Sequence, residues 1–491
     1  MQQNKREETT VLIKKRIIKK LYIILLLIFS TSCLYGEEIQ DEDLLLDDLL
    51  NLTVSSVTAS ELKLKDTPAA AYVITADDIK RAGFQSIPEA LRLVPGLQVS
   101  QTSSNLWSIS SRGFNRLYSN KLLVMVDGRN VSSALFSGVF WESQDLILED
   151  IERIEIIRGP GAVLWGSGAV NGVINIITKK AEDVQGTYLK LAGGSHYRSI
   201  TALRHAGEID DDLFYKFSLK YRNIDSTANR LGGDSADDWS LVKGDLRVDW
   251  NISSFTELSI STGLAYSNQI GTSSSRLNLS PTPGLSLANL PTIQNENEKV
   301  NNYNILFELK HEFSVDHQIV LGGFFDGATR IHPIGSDRRQ VYDLNFKHFY
   351  TPDENCQFVW GVGFRATRDQ GPNAPEVSVS PQETLYTTAS GFIEYTTEII
   401  PNELIFTLGS KFEVNDYTGF EVQPSARLSY HFNDRNFIWA SVSRAVRNPA
   451  RFEDSATMNS SRALSPLTLP FNSAVLFRGS SQIESEVLQA Y

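Results

Sequence analysis

The sequence predicts a compact α+β domain followed by a transmembrane antiparallel β-barrel. Three observations predict it: a secretory leader, a glycine-punctuated α/β pattern over residues 67–180, and, from residue 181 onward, period-two strands whose connections alternate between short and long. The 491 residues are 41% hydrophobic and 10% aromatic, which excludes a disordered chain. No apolar run is long enough for a bundle of membrane helices.

The leader occupies residues 1–36. A basic run from Lys14 to Lys20 precedes the apolar run Leu21 to Phe29, and small and polar residues follow it. This is the three-part layout of a secretory signal, and roughly nine apolar residues are too few to span a bilayer as a helix. Its end has two readings. Cleavage after Gly36 is one, although Leu34 is larger than such a site prefers; lipidation at Cys33 is the other, although Ser30 stands where an aliphatic residue is usual. Either route takes the chain out of the cytoplasm. Cys33 and Cys356 are the only cysteines, so no internal disulfide is expected to hold the fold.

The formal charge is −12, from 46 Lys+Arg against 58 Asp+Glu. The leader holds seven of the basic residues and two of the acids, so the remainder carries 39 against 56, a net of −17. A body that acidic argues against nucleic acid as a partner, because binding a phosphate backbone needs a basic face.

Residues 37–66 form an arm. Its acidic, leucine-rich stretch Asp41 to Leu50 leads into Leu52-Thr53-Val54-Ser55-Ser56-Val57. In the α/β unit, Ala71–Thr75 reads as a strand, and Thr75 then caps a helix with acids in its first turn. Ser86 caps a second helix, with Pro88 near its start and Glu89 three residues on. Further strands are expected at Leu122–Val126, ending in the turn Asp127-Gly128, at Ile151–Ile157, and at Val173–Ile177.

Beyond Ala181 the hydrophobic period becomes two. Leu213, Tyr215, Phe217, Leu219 and Tyr221 share one face, with Lys216, Ser218 and Lys220 on the other. Leu258, Ile260, Leu264 and Tyr266 repeat the pattern, as do Tyr303, Ile305, Phe307 and Leu309. These read as half-buried strands of about ten residues, apolar on one face and wet on the other. Short turns near 207–212, 251–254, 314–317, 351–355, 401–402 and 433–436 alternate with longer stretches such as 223–240, 269–299 and 368–382. A soluble β-sandwich explains the alternation but not the asymmetry of length. In a barrel that asymmetry follows from one end facing the periplasm and the other the medium.

Four motifs lie in order in the α/β unit: Ser108-Ile-Ser-Ser-Arg-Gly-Phe-Asn115, Leu122-Leu-Val-Met-Val-Asp-Gly-Arg129, Ile151-Glu-Arg-Ile-Glu-Ile-Ile-Arg-Gly-Pro-Gly161, and the stretch from Trp165 to Lys179. Behind a secretory signal and ahead of barrel strands, they closely resemble the plug domain of TonB-dependent outer-membrane receptors. The resemblance implies an α+β plug at residues 67–180 inside a 22-stranded transmembrane antiparallel β-barrel, of which residues 181–491 are the N-terminal part. It also implies residence in the bacterial outer membrane, in contact with its lipid. Leu52, Thr53, Val54, Ser55, Ser56 and Val57 stand where the family carries its energy-coupling box, the segment engaged by the TonB energy-transducing complex. A short extended peptide of this kind can pair with the edge of a partner sheet through its main chain alone.

The charged residues Arg112, Arg129, Glu152, Arg153, Glu155 and Arg158 suit either contacts between plug and barrel or ion pairs within the plug. Trp107, Tyr118, Phe136 and Trp141 are candidate ligand contacts, and packing is the alternative for each. The resemblance implies active import of a scarce ligand, with a ferric siderophore the commonest cargo and cobalamin or haem as alternatives. A surface-binding protein that does not transport, or an inactive fragment, is a further reading. Catalysis is not expected: Gly159 to Gly168 lacks the Gly-Lys-Ser/Thr of a phosphate loop, Val315 stands where a zinc-protease helix after His311-Glu312 needs its second histidine, and Gly-x-Ser-x-Gly is absent. No cofactor or metal site is expected.

Length gives a last expectation. At some 23 residues per strand with its connection, the barrel region yields about thirteen complete strands, with a fourteenth beginning at Glu486. A barrel of 22 such strands needs about 500 residues, so the chain is expected to be truncated.

Overall fold

The computed structural model describes residues 52–57, 62–228, 232–235, 237–271, 296–332, 335–374, 377–433, 436–459 and 476–491; the leader and the acidic part of the arm lie outside them. The described chain starts with β1 (Thr53–Val54), paired antiparallel with β2 (Leu62–Lys63).

The α+β domain follows from local signals. β3 (Ala71–Thr75) runs straight into helix Ala76–Ala82, because the Thr75 side chain accepts from the Asp78 amide while the Asp78 carboxylate accepts from the Thr75 amide. Ser86 caps helix Ile87–Ala90 by accepting from the Glu89 amide, while the Glu89 carboxylate accepts from the Gln85 amide. β4 (Leu97–Gln101) and β5 (Trp107–Ser111) form a separate hairpin. β6 (Leu122–Val126) turns back into β7 (Arg129–Asn130) through Asp127 and Gly128, both with positive φ (49° and 82°), the backbone that a two-residue hairpin of right-twisted strands requires. β8 (Ile151–Arg158), helix Ala162–Trp165 and β9 (Gly172–Thr178) complete a five-stranded sheet in the order β3-β8-β9-β6-β7.

Both faces of this sheet are buried, and the period of two sorts side chains between them. Val124, Ile154, Ile156, Ile174 and Ile176 join Ile79, Leu91, Trp107 and Trp141 in one core under the helices. Leu123, Met125, Ile157 and Val173 face the other way, and that second core is completed by Val54 and Val57 of the arm.

The barrel sheet has fourteen strands, antiparallel throughout: β10 (Gly186–Ala192), β11 (Tyr197–Asp210), β12 (Leu213–Ile224), β13 (Trp239–Ser253), β14 (Thr256–Gly271), β15 (Glu296–Ser314), β16 (His317–Ile331), β17 (Asp337–Asp353), β18 (Cys356–Gln370), β20 (Glu383–Ile400), β21 (Leu404–Asn415), β22 (Gly419–Asn433), β23 (Asn436–Arg447) and β26 (Glu486–Ala490). Among the described residues β10 pairs only with β11 and β26 only with β23, so the sheet is not closed. At the long-loop end, β19 (Val377–Val379), β24 (Ala456–Asn459) and β25 (Leu476–Arg478) make a small sheet of their own, beside helix Arg451–Ser455.

One expectation changes. Strands β11 to β18 run to between 12 and 19 residues rather than about ten, because polar residues at the long-loop end continue the ladder before the chain turns. The two strand faces divide as in a membrane barrel: Phe217, Leu219 and Tyr221 are exposed, whereas Lys216, Ser218, Lys220 and Arg222 are buried. The charged face is the inner one and the α+β domain covers it; the apolar face points outward, as on a strand that meets lipid.

Candidate functional site

The arm is locked into the domain through polar contacts as well as its two valines. The Glu155 carboxylate, fully buried on β8, accepts from the Ser55 amide at 3.1 Å and from the Ser56 hydroxyl at 2.5 Å. Arg153 Nε braces the same carboxylate at 2.9 Å. From the other side, Trp165 Nε1 donates to the Ser56 carbonyl and Arg427 of β22 to the Val57 carbonyl, each at 2.9 Å. Segment 52–57 is thereby held by the plug and the barrel together. Trp165 itself sits under the ammonium of Lys347 from β17, and its helix packs on β20, β21 and β22.

A second constellation joins plug to barrel. Between Trp141 and β8 the chain carries Glu142, Asp145, Glu149 and Asp150, and each acid meets a base on the inner barrel face. Asp145 Oδ1 lies 2.8 Å from Arg222 and 3.0 Å from Lys220; Glu149 pairs with Lys190 at 2.7 Å and Asp150 with Arg204 at 2.6 Å. Glu142 shares Arg330 with Glu298, and the guanidinium lies 3.6 Å from the Phe140 ring centre. Burial alone would raise the Asp145 carboxyl, but Arg222 and Lys220 outweigh it and hold the group below the usual aspartate range. At Glu142 burial wins over Arg330, and the carboxyl is pushed up.

The predicted polar set divides. Arg129 reaches the barrel, 2.5 Å from Asp326 of β16. Arg153 pairs with both Glu152 and Glu155 inside the plug; Arg112 donates to the Arg158 carbonyl and Arg158 to the Pro95 carbonyl. The four acids at 142–150 were not singled out in the sequence. Their one local signal is the clustering of four acids within residues 142–150; the bases that meet them, Lys220 and Arg222 among them, lie far along the chain.

At the long-loop end, the rings of Tyr118, Phe136 and Phe140 stack edge to face at centroid distances of 4.9 and 5.0 Å. Tyr118 is exposed and Phe136 buried, while Trp107 and Trp141 pack in the plug's own first core. The plug loop is tied to the overlying chain: Arg451 and Phe452 donate their amides to the carbonyls of Ala134 and Leu135, and the buried Arg451 side chain pairs with Asp369 at 3.1 Å. Beside this contact lies a cavity of about 170 Å³, lined by Asn130, Ser132, Arg339, Arg365, Tyr386 and Arg447 among others.

Residues 63–173 match the family model for the TonB-dependent receptor plug domain, and residues 186–475 match the one for the TonB-dependent receptor-like β-barrel. The chain belongs to the TonB-dependent receptor family. The receptor is 36% identical over 168 residues to a vitamin B12 transporter, BtuB, of Vibrio vulnificus, an alignment covering 33% of this chain and 25% of that protein. It is 24% identical over 501 residues to a ferric enterobactin receptor of Pseudomonas aeruginosa, covering 86% of this chain and 64% of the relative. The crystal structure of the siderophore receptor PirA from Acinetobacter baumannii shares its fold, with a TM-score of 0.67 at 19% identity over 85% of this chain and 67% of that one. The receptor therefore spans about two thirds or less of the length of the curated relatives it matches.

Proposed function

We propose that the receptor imports a ferric siderophore across the bacterial outer membrane, with the TonB complex acting on residues 52–57. The observation that carries this reading is the stowed segment itself. Its six residues lie at the short-turn end of the barrel, the periplasmic end in this reading, held by Glu155, Trp165 and Arg427. β1 has one strand partner among the described residues, β2, and a short extended segment of this kind, once released, can add to the edge of a partner sheet. Exposing Val54 and Val57 costs roughly 1.5–3 kcal/mol for each valine, so in the free receptor the segment is seldom presented. A ligand that loosens the plug lowers that cost, and the partner then captures the exposed strand.

Support for the cargo comes from the other end. Arg116, Leu117 and Tyr118 are exposed on one turn of the plug, and a cation beside an exposed ring suits an anionic, aromatic iron chelate better than a neutral ligand. Likeness to siderophore receptors along most of the chain supports the same cargo. Cobalamin is the second reading, favoured by the 36% identity to the vitamin B12 transporter. Iron-starved cells carrying the receptor are given radioiron-labelled catecholate and hydroxamate siderophores and, separately, labelled cobalamin. Accumulation of a siderophore that collapses with a protonophore supports the proposal; accumulation of cobalamin alone moves it to the second reading, and uptake indifferent to the proton gradient rules out energised import.

A further inference from the structure

Four histidines lie on the outward, apolar face of the barrel sheet, and two of them touch. His317, the first residue of β16, is paired in register with Tyr350 of β17; two residues along, Ile319 is paired with His348, which is paired in turn with Trp360 of β18. The His317 ring stacks on Tyr350 at a centroid distance of 4.5 Å and on His348 at 5.4 Å. His317 Nδ1 lies 3.2 Å from His348 Nε2, and Trp360 Nε1 lies 3.0 Å from His348 Nδ1.

These contacts fix where the protons are. An indole nitrogen only donates, so His348 Nδ1 accepts and the neutral ring carries its proton on Nε2. That proton is donated to His317 Nδ1, which therefore also accepts, and the His317 proton sits on Nε2. Among the described residues no protein group accepts from His317 Nε2. The relay Trp360 to His348 to His317 thus delivers one N–H donor, on a ring held by stacking, to the outward face beside the turn Val315-Asp316.

The surroundings say what it meets. On the part of these strands nearest the short turns, residues 303–313, 317–327, 342–350 and 358–366, the outward positions are apolar, aromatic or glycine apart from histidine and tyrosine, and none carries Lys, Arg, Asp or Glu, whereas Lys299, Arg338 and Arg368 stand outward toward the long-loop end. A lone donor at the edge of such a band faces the headgroup level of the adjoining leaflet, where the acceptors common to every phospholipid are its phosphodiester and ester oxygens. Two imidazole nitrogens 3.2 Å apart could also flank a metal ion, but the Trp360 contact places a proton on the very His348 nitrogen that an ion would need.

We infer that His317 Nε2–H is the donor of a binding site for the phosphodiester of an inner-leaflet phospholipid, whose acyl chains lie along the outward face of β16 to β18. The inference rests on these strands spanning the outer membrane with their short turns toward the periplasm, and not on transport or cargo.

The full chain, folded in non-ionic detergent, is titrated with phosphatidylethanolamine and with phosphatidylglycerol and observed by native mass spectrometry. One phospholipid is expected to be retained with either headgroup, since both carry the phosphodiester. In His317→Leu its occupancy falls roughly three- to tenfold, the loss of one hydrogen bond. Trp360→Phe keeps the packing but frees His348 to take the other tautomer, and occupancy falls at least about twofold. Circular dichroism and heat-modifiable gel mobility establish that both variants fold. Unchanged occupancy in either folded variant overturns the site. So does displacement of the lipid by millimolar glycerol 3-phosphate, which would make it a site for soluble phosphate, or zinc binding that His317→Leu abolishes, which would make it a metal site. No readout involves uptake, so failure here and failure of the import proposal are separate results.

Discussion

The Ser56 hydroxyl donates to the Glu155 carboxylate at 2.5 Å, joining two residues 99 positions apart in the chain. This bond, with the Ser55 amide on the same carboxylate, holds segment 52–57 against β8. A hydrogen bond to a charged group contributes roughly 1.5–3 kcal/mol. In Glu155→Ala, hydrogen exchange of the Ser55 amide should therefore accelerate at least about tenfold. Unchanged exchange would mean that the valines hold the segment without the carboxylate.

Trp165 acts on the same segment from the barrel side. Trp165→Phe keeps an aromatic ring in the second core and removes only the donor to the Ser56 carbonyl. A spin label at position 53 should gain a mobile component, the local opening equilibrium shifting by about 0.5–1.5 kcal/mol. A spectrum identical to that of the parent would remove Trp165 from the latch.

Asp145 carries the pH dependence of the plug–barrel contact. Its folded pKa is depressed, so its contribution is complete above the ordinary aspartate value of 3.8 and is lost as pH falls through the lower folded value. Asp145→Asn leaves Lys220 and Arg222 buried without their counter-charge, at a cost of roughly 3–5 kcal/mol. Urea unfolding of the plug in the folded barrel should give a gap between parent and variant that is constant from about pH 4 to neutral pH and narrows below pH 4. A gap that widens with acid would reverse the assignment.

Gly172 begins β9 where a Cβ would lie 2.3 Å from the Ile157 carbonyl oxygen, a backbone atom that cannot swing away. Gly172→Ala should destabilise the plug by about 1–3 kcal/mol, seen as faster exchange of the β8 and β9 amides. Parent-like protection would show that the two strands can part without loss.

Much of the fold was legible because its signals are local. Thr75 with Asp78, Ser86 with Pro88, the Asp127-Gly128 turn and the period of two in β12 each act within a few residues, and the elements stand where those signals put them. The strand beginning at Glu486 is the fourteenth of the sheet, as the spacing of turns implied. What was not legible depends on distant partners. Nothing near Asp145 in the chain announces Arg222, 77 residues on, and nothing near Glu155 announces Ser56. The two faces of each barrel strand are separable by pattern, and the polar face is the one that the plug covers. His317 and His348 stand 31 residues apart in the chain, and antiparallel pairing brings them into contact.

The central claim is that residues 52–57 transmit energy to import. The most direct measurement deletes Thr53–Val57 and compares, in the same cells, surface binding of the ferric siderophore with its accumulation inside. The account predicts binding at the parent level and accumulation reduced to background. Accumulation at the parent rate in the deletion would contradict it.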